Sequence, residues 1–187
     1  MWKPRASPIR TKTYVITEQR YGRIAIAVIL AATAAIWTLL GWQALHGGVP
    51  AHHILHRADM PAISNWWGAL LIPVLTWFLV RRMKPRAITR PKLVVASFAA
   101  GALVGTAQAV TFFTGHEAIT SNIVLSLFVL ALFVPIYRAE CVLGFTLAMT
   151  APFGAVLPTA FAAVMSAAGF VLYRGPRFVM RAAKREY

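Results

Sequence analysis

Apolar runs of about twenty residues, each closed by basic residues, constrain this chain more than any other feature of its sequence. The first runs from 24 to 45 without a charged side chain. At about 1.5 Å per helical residue, such a run crosses the ~30 Å hydrocarbon layer of a bilayer. Apolar residues make up 59% of the chain and charged residues 13%, whereas a soluble domain would carry about a quarter charged. The expected fold class is therefore all-α, a polytopic integral membrane protein. A soluble enzyme, a disulfide-rich secreted domain and a disordered basic tail are excluded.

The spans read from the pattern are 24–45, 65–80, 93–114, 119–137, 140–155 and 157–173. A polar, basic leader occupies 1–23, and a basic tail occupies 174–187. The first run is longer than a signal-peptide core of ~7–15 residues, so it reads as a retained helix. Gly47 and Gly48 end it. Between Pro50 and Pro61, the sequence AHHILHRADM suggests one short helix lying on the membrane surface. Ser64 or Asn65 caps the second span, which Pro73 kinks. The sequence RRMKPRAITRPK, 81–92, reads as a basic loop. Residues 138–173 are too long for one span. Pro152, Gly154 and Pro158 divide them into a short hairpin, so five spans plus a re-entrant pair is the variant architecture.

Six spans with both ends in the cytoplasm place every Lys and Arg except Arg57 on the cytoplasmic side. The net charge of +14 is thus explained by topology and anionic headgroups, and no nucleic-acid motif accompanies it. A bacterial inner membrane is the expected location. The lone Cys141 excludes an internal disulfide.

The same topology places all five histidines on the outer side. His52, His53, His56 and Asp59 form H-H-x-x-H-x-x-D. On a helix, His52, His56 and Asp59 would share a face, with His116 or Glu117 as a further ligand. Imidazole and carboxylate suit a divalent transition metal. The plainer alternative is histidines facing headgroups and water, and a pH-sensing role is a third. Other polar residues point to a solute site. Asn65, Trp66 and Glu117 lie at the outer mouth, and Gln108 in the third span should face protein or a cavity. Arg138 and Glu140 lie at the opposite boundary, where Glu140 either meets a helix dipole or faces the bundle interior.

Ser97, Gly101 and Gly105 repeat every four residues, as do Gly144 with Ala148 and Ala163 with Ala167. Small residues at this spacing let helices approach closely, within the chain or in a homo-oligomer or larger membrane complex. The stretch APFGAVLP, 151–158, reads as a turn between helices or as a broken segment lining a site. No Walker loop, G-x-G-x-x-G, G-x-S-x-G or H-E-x-x-H is present. The functional expectation is a small membrane protein that binds or translocates a small solute or ion at its outer face. A metal-dependent membrane enzyme and an accessory subunit of a complex are the alternatives.

Overall fold

The structure, a computed structural model, describes residues 8–53 and 62–183. Six helices dominate it: α1 (Pro8–Leu45), α2 (Gly68–Thr89), α3 (Pro91–Phe113), α4 (Glu117–Phe133), α5 (Ala139–Phe153) and α6 (Val156–Ala183). Between α1 and α2, two three-residue strands, β1 (Ala51–His53) and β2 (Ala62–Ser64), pair antiparallel with His52 opposite Ile63. Positive φ at Gly47 and Gly48 turns the chain out of α1, and the Asn65 N–H donates to the Pro50 carbonyl at 3.1 Å. Asn65–Trp67 form a 3-10 turn, in which Ser64 Oγ accepts from the Trp66 N–H.

The bundle is built around α5. Seven of its 15 residues are buried, and α2, α3 and α6 all pack on it. Its contact with α3 is backbone on backbone. A Cβ at Gly101 would run into the Cys141 carbonyl, and one at Gly144 into the Phe98 carbonyl. One turn further along, a Cβ at Gly105 would lie 2.8 Å from the Phe145 oxygen. On its second face α5 sets Leu143 among Leu79, Val80 and Met83 of α2, and on its third it sets Phe145 and Met149 against Ala162 of α6. Helix α1 joins through Ala32, Ile36 and Leu40, which pack on Ile72 and Ala155. Tyr21 Oη ties α1 to α2 by donating to the Val80 carbonyl at 2.6 Å.

Successive helices run in opposite directions, so the ends of α2, α4 and α6 lie with the starts of α3 and α5. That end carries Arg86, Arg138, Arg174 and Arg177, and we call it the basic end. Three helical segments are long and apolar enough to cross a membrane: Glu18–Leu45, Pro91–Phe113 and Val156–Phe178. That is fewer than the six spans expected. Helix α2 has the length but carries a basic last third, and α4 and α5 have 17 and 15 residues. Large apolar side chains such as Leu30, Val95, Leu103, Leu125 and Val171 face outward, as contact with a lipid bilayer requires.

Several boundaries differ from expectation, each for a local reason. Helix α1 extends back to Pro8, so much of the basic leader is helical. The expected basic loop is helix as far as Thr89, because Arg, Lys, Met and Ala are strong helix formers. Only Arg90 breaks it, with φ −141° and ψ 60°, since the residue before Pro91 is pushed out of the helical region. Pro135 acts in the same way on Val134 and ends α4 four residues early. Of the surface helix expected around the histidines, residues 51–53 form a strand paired with 62–64, and 54–61 lie outside the described residues. The 151–158 stretch holds a turn of two residues, 154 and 155, between α5 and α6: Gly154, with φ 73° and ψ −179°, reverses the chain in a region open essentially to glycine.

The α3–α5 contact leads to a first prediction. Gly144→Ala should lower the stability of the detergent-solubilised protein by about 1–3 kcal/mol through overpacking. Gly41→Ala, whose Cβ meets open space, should leave it unchanged or slightly raised. Thermal unfolding of the two variants beside wild type checks this.

Candidate functional site

Among the described residues the buried polar ones are few. They are Asn65, Thr76, Glu140, Thr146 and Thr150, all on α5, on α2 or on the turn that opens α2. Glu140 is the one buried charge among the described residues, at 1% exposure. It lies in the first turn of α5, where the helix dipole favours an anion. Its carboxylate accepts a charged hydrogen bond from Arg86 at the end of α2. Burial first, and then the positive charge of Arg138, draws the Arg86 pKa below its usual value. An arginine nevertheless keeps its proton in a protein. Glu140 is thus a neutralised tie between α2 and α5, not a vacant carboxylate. A second pair, Lys84 with Glu18, joins α2 to α1 nearby and is much more exposed.

Further along this seam, the Thr76 and Thr146 hydroxyls are buried without a hydrogen-bond partner among the described residues. Thr150 is satisfied by the Thr146 carbonyl at 2.7 Å. Thr76 lies one helical turn from Ile72 and one from Val80, between the two apolar clusters those residues belong to.

At the opposite end, the expected mouth residues do not converge. Asn65 is buried with its Oδ1 against Gly154, where a Cβ would collide with it. It packs on the α5–α6 turn and does not face an opening. Trp66 is half exposed and faces outward beside Trp67. Glu117 is an exposed residue in the first turn of α4. Gln108 holds its Oε1 buried and unpartnered among the described residues, as expected of a polar side chain facing protein. Of the metal candidates, His52 is in β1, where the helical spacing to His56 does not start. His56 and Asp59 lie outside the described residues. His116 is exposed at the start of α4, with Nδ1 2.8 Å from Thr114 Oγ1. Among the described residues no three His, Cys, Asp or Glu side chains are grouped to hold a metal ion.

The small-residue face is also reassigned. Gly101 and Gly105 are covered by α5 of the same chain, so they are not free to dock a partner. Ala163 and Ala167 are exposed, while the buried line of α6 runs through Ala162, Met165 and Gly169.

The feature that sequence reasoning missed is a cavity of ≈ 120 Å³ between α3, α4, α5 and α6, partly open to the outside. Gly101, Val104, Leu130, Cys141, Phe161 and Ala162 are among its lining residues, and Ser166 supplies a hydroxyl. A closed apolar void of about 150 Å³ holds benzene, so this smaller, partly open one suits only a short piece of hydrocarbon. The only hint in the sequence is that small residues, Ala100, Gly101 and Ala162, fall on helices that come to face one another. Comparison with known proteins found no matching family model, no similar curated protein and no solved structure of similar fold.

Removing one partner of the buried pair should be costly. Arg86→Gln leaves Glu140 unpaired and should destabilise the fold by about 3 kcal/mol or more. The double variant Arg86→Gln/Glu140→Gln should recover most of that loss. Chemical unfolding in a mild detergent measures both.

Proposed function

We propose that this chain is a six-span integral membrane protein, with both termini in the cytoplasm, that binds the hydrocarbon part of a small amphiphile within the membrane. The solute-binding expectation is kept, and its site is moved from the outer face to the α3–α6 cavity. The observation that carries the reading is the cavity itself. Its lining is almost wholly apolar, it is bounded by four helices, and its size suits a few methylene groups of a chain rather than a bulky polar solute. Ser166 and Cys141 are the polar residues in its wall. Selection there rests on shape and apolar contact.

The topology rests on charge. Arg81, Arg82, Lys84, Arg86, Arg90, Arg138, Arg174, Arg177 and Arg181 fall at the ends of helices that share one side of the bundle. The short helices α4 and α5 cross a bilayer only where it is locally thinned, or where α5 is shielded by its neighbours. A cysteine placed at Lys92 in a chain with Cys141→Ala should react with a membrane-impermeant maleimide only from the cytoplasmic side. Reaction from the outside would overturn the topology.

Cys141 is the single native cysteine and lies in the cavity wall, which makes occupancy measurable. A saturating uncharged amphiphile, such as a monoacylglycerol, should slow the labelling of Cys141 by a lipid-soluble maleimide. Ala162→Phe, which fills the void, should weaken binding of the amphiphile about tenfold, or ~1.4 kcal/mol. Protection that is absent in the wild type, or unchanged by Ala162→Phe, would sink the proposal.

A further inference from the structure

Four arginines at the basic end line one recess. It is bounded by Tyr137 and Arg138 from the α4–α5 connection and by Tyr173, Arg174, Arg177 and Arg181 of α6, and it encloses ≈ 770 Å³. Among the described residues, the acidic partners at this end are taken: Glu18 by Lys84 and Glu140 by Arg86. The four recess arginines have no ion pair among those residues. Like charges gathered without counter-charge repel, and the arrangement is relieved when an anion enters.

The recess is also ordered for binding. Arg177 donates to the Leu132 carbonyl at 3.1 Å and to the Tyr173 carbonyl at 2.6 Å, and it lies 3.7 Å above the Tyr173 ring. Arg174 Nε donates to Tyr137 Oη at 3.4 Å, and its guanidinium lies over Phe170. Each contact uses part of a five-donor fork and leaves the remaining N–H groups for an oxyanion. Arg138, the N-cap residue of α5, adds its charge to the recess from the wall facing α6.

What distinguishes a lipid from a free anion is the neighbouring cavity. The α4–α5 connection forms a wall of both spaces: Val134 and Ile136 face the apolar cavity, and Tyr137 and Arg138 face the recess. A Cβ at Gly169 would lie 2.9 Å from Ile136, and the next residue, Phe170, lines the recess, so the same stretch of α6 borders both spaces. We propose that the recess binds the phosphate of one anionic phospholipid, a few methylene groups of whose tail enter the α3–α6 cavity. The proposal rests on the cavity being a hydrocarbon site, and it adds the headgroup, its charge and its position.

The test uses the full chain, delipidated in neutral detergent. Binding of phosphatidylglycerol, phosphatidylcholine, an uncharged monoacylglycerol and inorganic phosphate is followed by thermal shift and native mass spectrometry. Arg174→Gln/Arg181→Gln is the variant of choice, because Arg177 also ties the backbone of α4. Arg81→Gln/Arg82→Gln is the control: it removes two charges from the same end, and these side chains stack on Trp77 and Phe78 away from the recess.

The wild type should bind one phosphatidylglycerol, about tenfold or more tightly than phosphatidylcholine. Arg174→Gln/Arg181→Gln should lose that preference and still bind monoacylglycerol, which shows that it is folded. The control should retain the preference. An equal loss in the control would reduce the effect to diffuse surface charge and overturn the proposal. So would a shift from millimolar inorganic phosphate as large as that from the lipid. Monoacylglycerol binding with no advantage for phosphatidylglycerol overturns the headgroup site alone. No binding of either overturns the cavity reading with it.

Discussion

Close backbone approach between α3 and α5 is the contact on which the rest of the bundle depends. Lipid tails are as apolar as leucine, so burying apolar side chains gives helices little reason to associate in a bilayer. What remains is dense packing and hydrogen bonding. Gly101, Gly105 and Gly144 allow the two backbones to meet where any side chain would hold them apart. With α5 pinned to α3, its other faces are committed. One brings Glu140 to Arg86 and Leu143 into the α2 cluster, and another brings Phe145 to Ala162. The same close approach makes Gly101 and Cys141 adjacent walls of the cavity. The void is therefore a product of tight packing on one side of α5, where α4 does not follow.

The polar groups divide by location in a way that fits the proposed use. Along the α2–α5 seam, burial is deep and the groups are hydroxyls or a neutralised ion pair. Such groups fix how helices mate and present little to a solute. At the basic end the arginines are held by aromatic rings and backbone carbonyls, with no acid among the described residues to quench them. Arginine suits that role because its planar fork can stack and donate at once. A charge that only marked topology would be served equally well by freely moving lysines.

How much of this was legible depends on whether the signal was local. The alternation of apolar runs and basic ends showed six helical elements in their order, and the four-residue spacing of Gly101 and Gly105 marked a close-packing face. The turn at 151–158 followed from Pro152, Gly154 and Pro158. Helix ends were misplaced where a basic sequence was taken for a loop, as at 81–89, because charge says little about helicity when Arg, Lys and Met all favour it. The partner of Glu140 was not legible, because Arg86 lies 54 residues away and only the α2–α5 packing joins them. Nor could a cavity be read, since a void is what facing side chains fail to fill. His52 was placed on a helix by spacing alone, whereas Gly47, Gly48 and Pro50 favour an extended chain after the turn.

The uneven helix lengths bear on the membrane itself. At about 1.5 Å per residue, the 17-residue α4 is about 25 Å long and the 15-residue α5 about 22 Å, against the ~30 Å of an average hydrocarbon layer. Helix α5 is enclosed by its neighbours, but α4 buries only Ala131 and presents Leu125, Val129 and Phe133 to its surroundings. On the proposed topology that flank offers lipid a wall several ångströms too low, while the 22-residue apolar run of α1, 24–45, is tall enough. On that topology lipids beside α4 shorten, and those beside α1 do not. The molecule is in this sense a wedge, which gathers thin or disordered bilayer to one side and gives an otherwise featureless solvent a preferred direction of approach.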